Sequence, residues 1–207
     1  METNFGGYIR SLRNQNNLTL TQLGAKLGID SDRFLIGYVA RFAANKGQSL
    51  MLKVFKLLNQ EYANRITLIY IGDGPFREAV SQQVLSEGLS EQIKFLGIVN
   101  PIADYYPLFD CTALLSDYEG MPNVVIEAMS FALPVVANPV GNVEELFSSG
   151  GGIVNKDVKP EKIAEHFIHL IENPAFANST GQEARNFIHR EFSIEHTLAL
   201  LTKHYAS

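Results

Sequence analysis

The sequence predicts an α/β fold, a parallel sheet covered by helices on both faces. Three observations lead there. Short runs rich in aromatic and β-branched residues alternate with stretches whose apolar residues recur at helical spacing. From residue 34 onward the order is strand then helix, repeated, which is the signature of parallel strands joined by covering helices. Several strand candidates run straight into turns built from Gly, Asp, Asn and Pro.

The elements follow in order. FLIGYVARF (34–42) reads as a strand, and QSLMLKVFKLLNQEY (48–62) as a helix. ITLIYIGDGP (66–75) is a strand ending in a Gly-Asp-Gly-Pro turn, and FREAVSQQVLSEG (76–88) is a helix stopped by glycine. IKFLGIV (93–99) is a strand and PIADYYPLF (101–109) a short helix or turn. CTALLSDY (111–118) is a strand, PNVVIEAMSFA (122–132) a helix with Pro122 in its first turn, and LPVVANP (133–139) a strand. NVEELF (142–147) is a short helix, GGIV (151–154) a last strand, and three helices are expected at about 159–172, 175–190 and 194–206. Residues 34–207 thus form one domain. Residues 1–33 are polar and helical, like the first two helices of a repressor-type helix-turn-helix. The strand at 34 leaves no room for a recognition helix, so a connector is expected there.

Composition narrows the function classes. The 207 residues are 46% hydrophobic and 19% charged, as in a soluble globular protein. A net charge of -5 argues against a dedicated nucleic-acid binder. The single cysteine, Cys111, provides no internal disulfide and fits a reducing, cytoplasmic setting. No apolar run reaches the ~20 residues that a membrane-spanning helix needs, and the N-terminus lacks a secretion signal's apolar core.

In open parallel sheets the ligand lies beyond the carboxyl ends of the strands. The loops ARFAANKG, GDGP, GIVNP, DYEGMPN and NPVGN are therefore where chemistry is expected. Glu119 and Gly120 sit just before the helix that Pro122 opens. That helix offers the free amides of Met121, Asn123 and Val124 to an anion such as phosphate. A carboxylate beside a phosphate site is repulsive, so Glu119 is expected to face neutral hydroxyls. Glu127, a turn or so deeper among apolar neighbours, needs a hydrogen-bonding partner, and a ribose diol is one that fits. Arg41 and Lys46, in the loop after the first strand, suit a diphosphate, one as a fork and one as a point charge. Neither G-x-G-x-x-G nor G-x-x-x-x-G-K-[ST] is present in that loop.

Five pieces in register resemble one family: IGYVARFAANKG, LIYIGDGP, IKFLGIV, SDYEGMPNVVIEAMSFALPVVANPVGNVEEL and GGIV, together covering about 34 to 155. They are similar to the C-terminal half of the retaining GT-B glycosyltransferases of the group 1 type, family 4, whose E-x7-E signature matches EGMPNVVIE. The resemblance implies a Rossmann-like domain that binds a UDP- or GDP-sugar for hexosyl transfer to a hydroxyl acceptor, as in polysaccharide biosynthesis. It implies that Arg41 and Lys46 hold the diphosphate and stabilise the leaving group, and that Glu119 contacts the transferred sugar. It implies further that Gly120, Met121, Asn123 and Val124 offer amides to sugar and phosphate, and that Glu127 holds the ribose. Gly72 would allow close approach to the nucleotide, and Ile98 and Val99 would line the base pocket. No cofactor or metal is implied. Members also carry an N-terminal acceptor domain, which 1–33 is too short to supply, so an isolated donor domain, inactive in transfer alone, is expected. Through that missing domain the full-length protein would meet a membrane-associated acceptor from the cytoplasmic side. The sequence departs from the family at Gly141-Asn142, where Gly-Gly is frequent, and at Glu144, where Pro is. A phosphorylase or epimerase on the same plan, or a binding module using the N-terminal segment, is the alternative.

The remaining candidates are read as structural. His166 and His169 share a helix face without a completing ligand pattern, Cys111 is core, Ser116 lies outside a nucleophile elbow, and Tyr105, Tyr106 and Phe109 are packing.

Overall fold

Six strands lie parallel in one sheet: β1 (Phe34–Val39), β2 (Ile66–Ile71), β3 (Ile93–Phe95), β4 (Cys111–Leu114), β5 (Val135–Ala137) and β6 (Gly152–Val154). The structure is a computed structural model that describes residues 24, 28, 29, 32–193, 196, 198, 202 and 205. The segment expected over 1–33 and the helix expected at about 194–206 fall outside these apart from isolated positions.

The strand order is β3-β2-β1-β4-β5-β6. The chain builds outward from β1 to β3, then returns to the other side of β1 and builds outward again. Ile36 and Gly37 of β1 pair with Cys111 and Thr112 of β4 at the seam. That seam is the topological switch point, where parallel α/β sheets open a crevice beyond their carboxyl ends.

The α-helices with defined bounds among the described residues are α1 (Gln48–Tyr62), α2 (Arg77–Ser86), α3 (Asn123–Ser130), α4 (Val143–Leu146), α5 (Pro160–Glu172) and α6 (Pro174–Glu191). Side chains alternate across a strand, so one strand feeds two cores. In β2, Leu68 and Tyr70 face one layer, where they pack with Phe55 and Leu58 of α1, Val80 of α2 and Phe167 of α5. Ile69 and Ile71 face the other, with Val125 and Met129 of α3 and Phe187 of α6. All six residues of β2 are buried, as a strand with helices on both faces requires. Each fully buried Phe or Leu is worth about 1.5–3 kcal/mol relative to exposure.

The elements match the sequence expectation in kind and order, but the strands are shorter. The region 101–109 forms two 3-10 turns, Ile102–Asp104 and Tyr106–Leu108. Pro122 stands just before α3, as its cap, rather than in the first turn. Its carbonyl accepts from the amides of Val125 at 2.9 Å and Ile126 at 3.4 Å. Cys111 is fully buried, as expected of a core residue, and burial pushes its thiol pKa up.

Candidate functional site at the carboxyl edge of the sheet

The loops after β1 and β4 meet over the switch point. The Asp117 amide donates to the Asn45 carbonyl at 3.0 Å. Tyr38, buried at the end of β1, donates its hydroxyl to the Lys46 carbonyl at 2.6 Å and accepts from the Leu115 amide at 3.2 Å. One phenol thus stitches both loops, and burial raises its pKa well above the usual phenol range, so it stays protonated.

This stitching brings Lys46 to Glu119. The Lys46 ammonium lies 2.7 Å from Oε1 and 2.8 Å from Oε2 of Glu119, with side chains 25% and 15% exposed. Ser116, fully buried at the end of β4, donates to Glu119 Oε1 at 2.8 Å. Behind it a polar ladder crosses the strand ends. Asn155, after β6, donates to Asn138 Oδ1 at 3.1 Å, and Asn138, after β5, donates to the Ser116 carbonyl at 3.3 Å. The loop after β5 also braces Glu119 from outside. Gly141 has φ 55, and a Cβ there would meet the Gly120 carbonyl oxygen at 2.0 Å. Here the sequence keeps glycine for a close backbone approach. Gly120 itself faces open space, with nothing within 4 Å of an added Cβ. The amides of Gly120, Met121, Asn123 and Val124 find no acceptor among the described residues.

Arg41 is exposed at the same edge. Its carbonyl accepts from Gln48 Nε2 at 2.8 Å, and its guanidinium makes no hydrogen bond or ion pair with the described residues. Glu127, on α3, is half-buried and accepts from the hydroxyl of Tyr106 at 2.6 Å. Tyr106 therefore does more than pack, which corrects the sequence reading. Ser116, outside any nucleophile elbow, likewise belongs to the site through its bond to Glu119. In the loops after β2 and β3, Gly72 has φ 132 and lies against the Ala40 carbonyl, which an added Cβ would meet at 2.1 Å. That contact alone explains the glycine, without a nucleotide. Ile98 is 80% exposed, while Val99 packs against the core layer that includes α3 and α6. Among the described residues no cluster of three or more His, Cys, Asp or Glu side chains is placed to hold a metal.

The sequence profile of the family described as "Glycosyl transferases group 1" matches residues 21–187. The chain belongs to this family of group 1 glycosyltransferases. The protein named "Putative glycosyltransferase EpsF" of Bacillus subtilis (strain 168) is 32% identical over 164 residues, covering 79% of this chain and 41% of EpsF. The Vi polysaccharide biosynthesis protein VipC/TviE of Salmonella typhi is 29% identical over 182 residues, covering 83% of this chain and 30% of that protein. The crystal structure of Anabaena Alr3699/HepE in complex with UDP and glucose superposes with a TM-score of 0.80 at 25% identity, covering 91% of this chain and 52% of HepE. The chain thus spans about half or less of the length of these relatives, and the fold is that of the Rossmann-like half of a GT-B glycosyltransferase. No helix among the described residues is long and apolar enough to cross a membrane.

Proposed function

We propose that this group 1 glycosyltransferase chain binds a UDP-sugar and supplies the donor side of a retaining hexosyl transfer to a hydroxyl acceptor. The observation that carries the reading is the contact of Lys46 with Glu119 across the switch point, because it puts a cation and a hydroxyl-accepting carboxylate in one crevice. UDP is favoured over GDP by the uridine nucleotide bound to HepE.

In the reaction the bond between the sugar's anomeric carbon and the diphosphate breaks, and the acceptor oxygen bonds that carbon from the same face, passing its proton to the departing diphosphate oxygen. Negative charge grows on the departing diphosphate. Lys46, Arg41 and the free amides at the start of α3 are the groups that meet it, with no metal required. Glu119 accepts from sugar hydroxyls, and Glu127 from the ribose. Retention is carried by the resemblance of EGMPNVVIE to the E-x7-E signature. A second domain, facing the carboxyl edge, would bind the acceptor at the cytoplasmic side of a membrane and complete the cleft.

Calorimetric titration with UDP, UDP-glucose and GDP tests the reading. Binding of UDP, weakened by about 1.5–3 kcal/mol in Arg41→Ala, is expected from the loss of a charged hydrogen bond. No heat with any of the three at millimolar concentration would refute the reading, and an unchanged affinity in Arg41→Ala would remove that residue from the site.

A further inference from the structure

We infer that Tyr106 is a positioning residue that sets Glu127 for the ribose of the donor. The inference rests on the donor-binding reading above and extends it to a residue in the 3-10 turn that precedes β4.

The geometry is specific. Tyr106 is 1% exposed. Its ring stacks on Phe131 with centroids 5.4 Å apart and planes at 18°, and meets Phe109 edge-on at 6.2 Å. Phe131 directly follows α3, so the ring is clamped to the helix that carries Glu127. The only freedom left to the hydroxyl is rotation about its own C–O bond. It lies 2.6 Å from Glu127 Oε2 and 3.5 Å from the Val124 carbonyl. Burial, and then the bond to Glu127, push the phenol far above its usual pKa, so it remains a donor at any working pH.

One carboxylate oxygen is thereby occupied. The other, Oε1, accepts no hydrogen bond among the described residues, yet it is not one of the sealed polar atoms that lack a partner. A glutamate has three side-chain torsions to order before it can meet two hydroxyls of a diol. With Oε2 pinned, that ordering is complete before ligand arrives, and preorganised acceptors bind more tightly. The benefit is confined to a ligand that has the ribose hydroxyls.

The test compares UDP with 2′-deoxy-UDP on the full chain by calorimetry. The unaltered protein is expected to favour UDP by about tenfold, about 1.4 kcal/mol. Tyr106→Phe keeps both ring contacts and should cut the preference to about threefold or less, weakening UDP more than 2′-deoxy-UDP, which offers Glu127 only the 3′ hydroxyl. In a Glu127→Ala background, Tyr106→Phe should change nothing further. Equal weakening for both nucleotides would mark Tyr106 as merely structural and overturn the inference, as would a preference left intact. Should the variant fail to fold, the unaltered protein still decides. The Tyr106 hydroxyl proton, buried in a short bond, should give a slowly exchanging downfield resonance that UDP shifts more than 2′-deoxy-UDP does, and no difference overturns the inference. If the unaltered chain binds neither nucleotide, the donor-binding reading itself fails. Ribose preference that survives Tyr106→Phe removes Tyr106 alone.

Discussion

Deleting the Lys46 ammonium tests how the carboxyl-edge pair is held. In Lys46→Ala, Glu119 loses contacts of 2.7 and 2.8 Å and keeps, among the described residues, only the Ser116 hydroxyl at 2.8 Å. With side chains 25% and 15% exposed, the pair lies between two regimes. Exposed pairs contribute about 0–1 kcal/mol, and breaking a fully buried pair costs about 3–5 kcal/mol. Coulomb attraction at an effective dielectric near 20 is about 4 kcal/mol at 4 Å, much of it offset by desolvation. We expect Lys46→Ala to lose about 1–2 kcal/mol in urea denaturation at neutral pH, seen as a lower midpoint with an unchanged slope. The double variant with Glu119→Gln should recover roughly half, because no orphaned carboxylate remains. A coupling energy below about 0.3 kcal/mol in that cycle would show two independently solvated side chains and refute the argument.

Three further outcomes follow from other contacts. Tyr62 of α1 donates to Glu172 of α5 at 2.7 Å, and burial first, then that bond, push its pKa up to about 12. A phenol whose pKa is raised in the fold stabilises below its unfolded value near 10 and loses that contribution as pH rises toward 12. The stability difference between wild type and Tyr62→Phe should be flat below pH ~10 and shrink above it, and a difference that grows there would contradict the assignment. Phe167→Ala, fully buried between α1 and α5, should cost about 3–5 kcal/mol by urea denaturation. Gly141→Ala combines left-handed backbone, about 1–2 kcal/mol, with the clash against the Gly120 carbonyl. It should lower the Tm and weaken UDP-glucose binding more than UDP binding, and a calorimetric profile like wild type would disprove the bracing role.

What the sequence disclosed, and what it hid, divides along physical lines. Strand identity was legible because buried strands are written as apolar runs. Their ends were not. IKFLGIV reads as one strand, yet β3 stops at Phe95, Gly97 turns at φ 70, and the apolar Ile98 is spent on an exposed loop. Lys46 and Glu119 could be placed on one rim in advance by the carboxyl-edge rule, but their direct contact could not, since Glu119 is expected from the sequence to face neutral hydroxyls and Lys46 a diphosphate. Ser116 and Tyr106 could not. A serine at a strand end and a tyrosine in an aromatic run have ordinary packing uses, and only the folded arrangement points their hydroxyls at carboxylates. Asn138 and Asn155 left a faint signal, each a lone amide directly after an apolar strand, but their bond to one another depends on β5 and β6 being neighbours.

The two halves of the Lys46–Glu119 contact are 73 residues apart in the chain. No local fragment holds both, so affinity for a donor would appear only when the sheet is complete. By mass action, a nucleotide present at a hundred times its Kd would then deepen the native basin by about 2.7 kcal/mol. The cell's own pool of activated sugar would act as a chaperone for this chain, and starvation for that sugar would leave the chain most open to proteolysis.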